Sequence, residues 1–306
     1  MDLWVVIKML VALPLLGFAA DRFIREVTKL AVWLKIPLYG VAAGVISIMT
    51  SLPEVIVSLS TIYKDEFYLS MGNIWGSVAA NSLLVVGISA LYRPILCKKL
   101  IVTHEMPFLM GSLFVWALAI FFGYSYQWSM LAPIIWLVYM VLIHLQDQPH
   151  ETQKSGSIYD LIGVVFYFLL LFLASEWLIL GAQDITDFYN VPEWIVGMTV
   201  LAIGTSLPEL AVSLVAQSQG QSDIALGNVV GSNVFLILVL MPICVLIVSP
   251  HDLTLILPAV ILALVGNIFL YLFALFFDGR RMINRVEGFL LTSIFFIFFI
   301  LQHFAA

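Results

Sequence analysis

The sequence predicts an all-α polytopic membrane protein, ten transmembrane helices arranged as two inverted five-helix repeats. Three observations carry that reading. The first is composition: 62% of the 306 residues are hydrophobic and only 10% are charged, and the mean hydropathy is +1.09, whereas soluble domains run near 45–50% apolar and 25% charged. The second is an internal duplication, in which Thr50-Ser51-Leu52-Pro53-Glu54 returns as Thr205-Ser206-Leu207-Pro208-Glu209 at an offset of 155 residues. At that offset Pro37 falls on Pro192, Val57-Ser58-Leu59 on Val212-Ser213-Leu214, Gly72-Asn73 on Gly227-Asn228 and Gly76-Ser77 on Gly231-Ser232. From residue 50 to 81, 12 of 32 positions are identical without a gap, against roughly one in ten for unrelated apolar segments of such composition. The third is the uneven placing of the 13 Lys and Arg residues.

A bilayer core about 30 Å thick needs about 20 helical residues per span, and the roughly 10-residue alternating segments of a membrane barrel are not seen here. The first span, 3–30, is apolar but for Lys8 up to Ala19-Ala20 and then meets Asp21, Arg22 and Arg25. Its Met9–Phe18 stretch resembles a signal peptide, but Asp2 and the lack of an early basic cluster favour an uncleaved helix. The second, 37–62, opens at Pro37 and is interrupted at Pro53; the third, 68–91, stops before Arg93-Pro94. Spans at 103–123 and 128–146 close the first repeat, residues 1–146. Residues 147–157 are the only sustained polar stretch and are too short to fold alone, so they form a linker. The second repeat, 158–306, holds spans at 158–180, 193–216, 223–248, 253–277 and 286–304.

With these spans, Arg22, Arg25, Lys29, Lys35, Arg93, Lys98, Lys99, Lys154, Arg280, Arg281 and Arg285 fall on one side of the membrane, and Lys64 alone in a loop on the other. The basic side is the cytoplasmic one. Both termini then lie outside, the linker is cytoplasmic, and the expected location is the cell's plasma (inner) membrane. Five spans per half is odd, so the halves run in opposite directions, a construction typical of secondary transporters.

Glu54 and Glu209 each interrupt an apolar run. An ionised carboxylate inside a span costs at least ~3 kcal/mol, so it normally faces a cavity and a partner. The prolines before them, Pro53 and Pro208, supply no backbone N–H and so release the carbonyls of Met49 and Gly204. Thr50 and Thr205 sit in the same disrupted turns. Carbonyls, hydroxyls and one carboxylate per repeat make an all-oxygen set suited to hard cations; no His or Cys lies near either motif, which disfavours zinc or copper. In the next span of each half, Gly72 and Gly76, and Gly227 and Gly231, are small residues four apart that allow close helix approach. Asn73 and Ser77, and Asn228 and Ser232, share a helix face and can point at the opposing carboxylate. A plain packing motif is the competing explanation, weakened by the in-register duplication. Asp21 aligns with Glu176 and is expected to form an interfacial salt bridge with Arg22 or Arg25. Trp128, Trp136, Trp177 and Trp194 read as interfacial belts. Cys97 should be a reduced cytosolic thiol and Cys244 apolar filling, with no disulfide between them.

These motifs resemble the cation/calcium exchanger superfamily, the alpha-repeat transporters that include prokaryotic sodium/calcium exchangers. Gly204-Thr205-Ser206-Leu207-Pro208-Glu209 and Gly227-Asn228-Val229-Val230-Gly231-Ser232-Asn233 are similar to that family's second repeat nearly letter for letter. The resemblance covers all ten spans in layout, while its specific motifs occupy about 37–91 and 192–246. It implies that Glu54 and Glu209 share one calcium ion with the Thr50 and Thr205 carbonyls. It further implies that Ser51, Ser77, Ser206, Ser232 and Asn81, with Met49 and Ala202, flank sodium sites, and that Asn73, Asn228, Gly76, Gly231, Pro53 and Pro208 line or pack them. The chain departs from the pattern where Val78 precedes Asn81 in the first repeat while Asn233 precedes Leu236 in the second, and where Met49 replaces the glycine seen at Gly204. One central oxygen ligand is lost, which bears on ion stoichiometry.

The resemblance thus implies a monomeric antiporter that exchanges calcium for monovalent cations, chiefly sodium, within the lipid bilayer and without a cofactor. A proton-coupled exchanger of calcium or other divalent cations is the alternative, since Leu236 handicaps sodium. An enzyme is not expected: there is no HExxH, phosphate loop or GxSxG elbow, and His104-Glu105 stands outside the repeats. A channel would need a continuous pore, and nothing in the charge distribution supports nucleic-acid binding.

Overall fold

The structure is a computed structural model. It describes residues 3–34, 42–63, 65, 67–122, 130–146, 157–188, 202–248, 256–276 and 281–305. Pro37, Pro192, Trp128, Trp194 and nearly all of the 147–157 linker lie outside them.

Long runs of Leu, Val, Ile, Phe and Ala with few interior glycines make helices almost throughout. The long helix α1 (Leu3–Leu34) is followed by a π-helical turn Ala42–Ile46, the short α2 (Ser47–Thr50) and α3 (Leu52–Tyr63). Helix α4 (Phe67–Ala80) runs through a π turn, Asn81–Val85, into α5 (Val86–Tyr92), then a short strand β1 (Ile95–Leu96). A further π turn, Ile101–Glu105, opens α6 (Met106–Phe122), and α7 is Ala132–Gln146. The second half holds α8 (Asp160–Phe188), α9 (Ala202–Thr205), α10 (Leu207–Ser218) and α11 (Ser222–Phe235). It continues with a π turn Leu236–Leu240, α12 (Met241–Val248), α13 (Leu257–Phe276), β2 (Met282–Ile283) and α14 (Arg285–Ala305).

The register seen in the sequence persists in the backbone. Helices α2, α3 and α4 begin and end 155 residues before α9, α10 and α11, and the π turn at 81–85 matches the one at 236–240. Single π turns concentrate at functional positions. Two of those described here, 81–85 and 236–240, fall where the paired motifs end.

Among the described residues, four helical stretches are long and apolar enough to cross a membrane: Phe67–Tyr92, Ile101–Phe122, Ser222–Val248 and Leu257–Leu275. A fifth is the pair Gly44–Thr50 and Leu52–Tyr63, bent by 44° at Ser51. The first and third of the four are 89% and 72% buried, the others 39% and 50%, so α4–α5 and α11–α12 form the centre and α6 and α13 flank it.

Two apolar clusters hold the bundle. The larger joins α4, α5 and α6 to α11, α12, α13 and α14 through residues such as Trp75, Leu83, Trp116, Val230, Ile237 and Phe295. The smaller binds α1 to α8 through Phe23, Ile24, Val164 and Leu171, and seats both on Ala211, Val212 and Ala216 of α10. Large apolar side chains such as Leu10, Phe121, Ile162 and Val286 face outward, as lipid contact requires.

One end is tied by polar contacts, and every basic residue in them belongs to the side assigned to the cytoplasm. Strands β1 and β2 pair antiparallel, Ile95 with Ile283 and Leu96 with Met282. The Arg93 guanidinium donates to the Gln217 carbonyl at 3.2 Å and that of Arg285 to the Tyr92 carbonyl at 3.4 Å. Asp21 pairs with Arg25 at 2.9 Å, the expected salt bridge, and also accepts from the Gln219 amide at 2.8 Å. Cys97 and Cys244 are both free and buried, and burial pushes the Cys97 thiol up to about 12. Trp136 packs edge-on against Phe235 at 5.9 Å and Trp177 against the smaller cluster.

Helix α14 starts with a reciprocal cap. Asn284 Oδ1 accepts from the Val286 and Glu287 amides at 2.8 and 3.0 Å, and Glu287 Oε2 accepts from the Asn284 amide at 2.6 Å, which satisfies donors that a helix start leaves open. Asn284→Ala is expected to cost about 1 kcal/mol, read as a lowered thermal midpoint of the purified protein; an unchanged midpoint would show the cap to be dispensable.

Candidate functional site

The site is built where two helices are broken in the same way. Ser51 ends α2 at φ −84°, ψ 3°, and Ser206 precedes α10 at φ −84°, ψ 4°. Proline follows each by two residues, in the first turn of the new helix, where its missing N–H costs nothing. The chain resumes with Val55 N donating to Ser51 O at 3.1 Å and Leu210 N to Ser206 O at 3.0 Å. Glu54 and Glu209 therefore stand in first helical turns, where the axial dipole favours negative charge.

Each broken segment docks on the other half. Ser47 Oγ donates to Asn228 O at 3.0 Å and Thr50 Oγ1 to Asn228 Oδ1 at 3.1 Å, placing α2 on α11. Symmetrically, Thr205 Oγ1 donates to Asn73 Oδ1 at 3.4 Å and shares a hydrogen bond with Ser77 Oγ at 3.1 Å, placing α9 on α4. The Asn73 amide is held from its own half, donating to Ser58 Oγ at 3.0 Å and to Glu54 O at 3.4 Å.

The two carboxylates are fully buried and lie near enough for the charge of Glu209 to act on Glu54. Their surroundings differ. Glu209 Oε1 accepts from Ser51 Oγ at 3.2 Å and Ser232 Oγ at 3.3 Å. Glu209 Oε2 and both oxygens of Glu54 accept no protein hydrogen bond, nor does the Ser206 hydroxyl have a partner. The hydroxyls of Ser77 and Thr205 lie beside Glu54 and share a hydrogen bond with each other. Among the described residues neither acid forms an ion pair. Buried charges are ordinarily paired or coordinate a metal; two buried acids with three unpartnered carboxylate oxygens make this the candidate cation site.

No cluster of three or more His, Cys, Asp or Glu residues exists among the described residues, so the remaining oxygens come from hydroxyls, amides and backbone, the donor set of hard cations. The structure thus brings Ser51, Ser232, Thr50, Asn228, Thr205, Ser77 and Asn73 around the two acids. Met49 turns its side chain toward the α1–α8 cluster. The side chain of Ala202 lies outside the described residues. Pro53, Pro208, Gly76 and Gly231 are buried in the elements that form the site. Asn81 does not meet a carboxylate; its amide donates to Asn233 Oδ1 at 3.1 Å. Leu236, also fully buried, brings no oxygen.

Three further polar residues are hydrogen-bonded across the two halves. Ser47 lies one helical turn before Ser51. Asn233, visible as a departure from the pattern, takes part in place of Leu236. Asn267 belongs to α13, outside both motifs, and only the match of its offset position Ser112, which likewise bonds a carbonyl four residues earlier, hints at a repeated polar position.

A model of the sodium/calcium exchanger protein family matches residues 4–145 and 159–304. The chain belongs to this family. The gap between the two matched stretches falls on the polar linker. Among relatives, CaxA of Alkalimonas amylolytica is 30% identical, with 94% of this chain and 95% of its own covered. The inner membrane protein YrbG of Escherichia coli is 28% identical over 78% of each chain. Among solved structures, the sodium–calcium exchanger NCX_Mj soaked with 10 mM Na+ and zero Ca2+ superposes with a TM-score of 0.81 at 25% identity, covering 97% of this chain and 98% of that one. This family member is an integral membrane protein and a transporter.

Proposed function

We propose that the chain is a secondary-active antiporter that exchanges calcium for sodium by alternating access around Glu54 and Glu209. The observation that carries this reading is the buried pair of acids with three oxygens left without a protein donor. Two negative charges in a low-dielectric chamber repel each other and lack solvent, so one divalent ion or two or more monovalent ions stabilise the site while an empty one does not. Calcium takes Glu54 and Glu209 with the Thr50 and Thr205 carbonyls. Sodium ions use the same acids with the flanking oxygens of Ser51, Ser77, Ser206, Ser232, Asn81, Met49 and Ala202. Competition for the shared carboxylates enforces exchange, because an unloaded, doubly charged site resists passage.

Ten spans in two inverted halves, 1–146 and 158–306, with both termini outside and 147–157 in the cytoplasm, give the geometry for two near mirror-image states. The cluster that binds α1 to α8 also seats them on Ala211, Val212 and Ala216 of α10, and supports those two helices moving as one unit over that surface. The unit of function is a monomer in the plasma membrane.

The test is calcium uptake into proteoliposomes under an outward sodium gradient. Uptake that rises with the gradient is expected. Uptake indifferent to sodium and driven by a pH gradient in sodium-free buffer would replace this reading with proton coupling, the alternative that the oxygen-free Leu236 keeps in view.

A further inference from the structure

A polar chain that starts at Asn81, one helical turn beyond Ser77, ends on a helix that belongs to neither motif. Read from that end, Asn267 Nδ2 donates to the Ala263 carbonyl at 2.8 Å, which pins the amine side of the amide against α13 and turns Oδ1 inward. Ser82 Oγ lies 2.9 Å from Asn267 Oδ1 and 3.0 Å from the Val78 carbonyl, both acceptors. A hydroxyl has a single proton, so Ser82 spends it there and can only accept on its other side. It does so from Asn233 Nδ2 at 2.8 Å, which also reaches Val78 O at 3.4 Å. The amide of Asn233 is thereby oriented, and its Oδ1 accepts from Asn81 Nδ2 at 3.1 Å. The chain of donors ends at Asn81 Oδ1, which is buried and has no partner.

We infer that Asn267 and Ser82 are positioning residues: through Asn233 they fix the amide of Asn81 so that its carbonyl oxygen, not its amine, is left open toward the proposed ion site. Asn81 follows Ser77 by one turn on α4 and its π turn, and Ser77 touches Thr205 at the chamber. A reversed Asn81 amide would present two N–H donors to a cation and leave Asn233 Oδ1 without its donor. The effect matters more because Leu236 supplies no oxygen across the crossing. The inference rests on the exchanger reading for its flux measurements, though not for its binding measurements.

The experiment compares Ser82→Ala, Ser82→Thr and Asn267→Leu in the full chain, each with and without Asn81→Ala. Two quantities are read: KM and maximal rate for calcium uptake under a sodium gradient, and equilibrium binding of calcium and of sodium by the purified protein. Losing one hydrogen bond of the relay should weaken apparent ion affinity roughly fivefold with the maximal rate held, and Ser82→Thr, which keeps the hydroxyl, should restore it. In the Asn81→Ala background neither Ser82→Ala nor Asn267→Leu should weaken affinity further. Equal losses with and without Asn81, or unchanged affinity in both variants, would overturn the inference. If Asn267→Leu does not fold, the Ser82 pair decides it alone. Ion binding without exchange would remove the exchanger reading and leave the affinity comparison valid, while a wild-type chain that binds neither ion would overturn the inference as well.

Discussion

Glu54→Gln is expected to abolish calcium exchange while making the protein more resistant to heat. Glu54 contributes two buried oxygens that no protein group hydrogen-bonds, and the nearby Glu209 adds repulsion. In the unloaded protein its charge is therefore a destabilising feature, kept in place by the packing around it. Glutamine preserves the shape, removes the charge and introduces donors that the hydroxyls of Ser77 and Thr205 can accept. The loaded state responds in the opposite direction. Deleting one member of a buried charge cluster costs about 3–5 kcal/mol, so affinity for calcium should fall more than about a hundredfold, and flux under a sodium gradient should vanish. Glu209→Gln should also lose exchange but gain less stability, since Ser51 and Ser232 already donate to Oε1. Flux in Glu54→Gln within tenfold of the wild type would remove the acid from the site; a fall in thermal midpoint would show that Glu54 has partners in the resting protein.

The second large effect lies far from the acids. A Cβ added to Gly288 would stand 2.7 Å from the Gly87 carbonyl oxygen, 2.8 Å from the Ala90 Cβ and 3.1 Å from the Leu91 amide nitrogen, and one added to Gly87 would stand 2.9 Å from the Gly288 carbonyl. At Gly288, helices α5 and α14 therefore meet against main chain and the Ala90 methyl, with no flexible side chain able to move aside, while at Gly87 the nearest obstacle is the Thr292 hydroxyl. Overpacking a core usually costs about 1–3 kcal/mol, and here the obstacle is main chain, so Gly288→Leu should exceed the upper figure and sharply reduce the yield of folded, monodisperse protein in detergent. Gly72→Ala is the control. An added Cβ there meets nothing within 4 Å, and alanine is the better helix former, so stability should hold or rise slightly. Equal behaviour of the two variants would refute the close crossing.

The contrast between these glycines shows what was legible from residues alone. The repeated pentapeptide exposes Glu54 and Glu209 because a carboxylate and a proline inside an apolar run are conspicuous against lipid-soluble neighbours, and the break at Ser51 and Ser206 follows from the missing proline donor. The glycines of the repeats drew attention by periodicity, and of these Gly72 has open space around it, whereas the tight contact of Gly87 with Gly288 joins residues 201 positions apart and leaves no local pattern. Asn233 and Leu236 were visible as departures, but their consequence depends on how α4 crosses α11. Asn267 had no signal of its own, since one asparagine in an apolar helix reads the same whether it meets another side chain or only its own carbonyl. The difference between the two acids was likewise out of reach: identical pentapeptides do not reveal that Ser51 turns to Glu209 while Ser77 turns to Thr205.

The exchange of partners between halves also sets an order of events at the ribosome. Ser77, Asn81 and Ser82 are matched by Thr205, Asn233 and Asn267, which follow 128, 152 and 185 residues later. At about 5–20 residues per second, the last of these emerges roughly 10–40 s after its counterpart. Through that interval α4 carries a polar face for which hydrocarbon is a poor solvent, so it must wait beside water, the insertion machinery or a neighbouring nascent chain. The proposed ion site is consequently among the last parts of the molecule to close, and the first half synthesised alone would have a helix but no site.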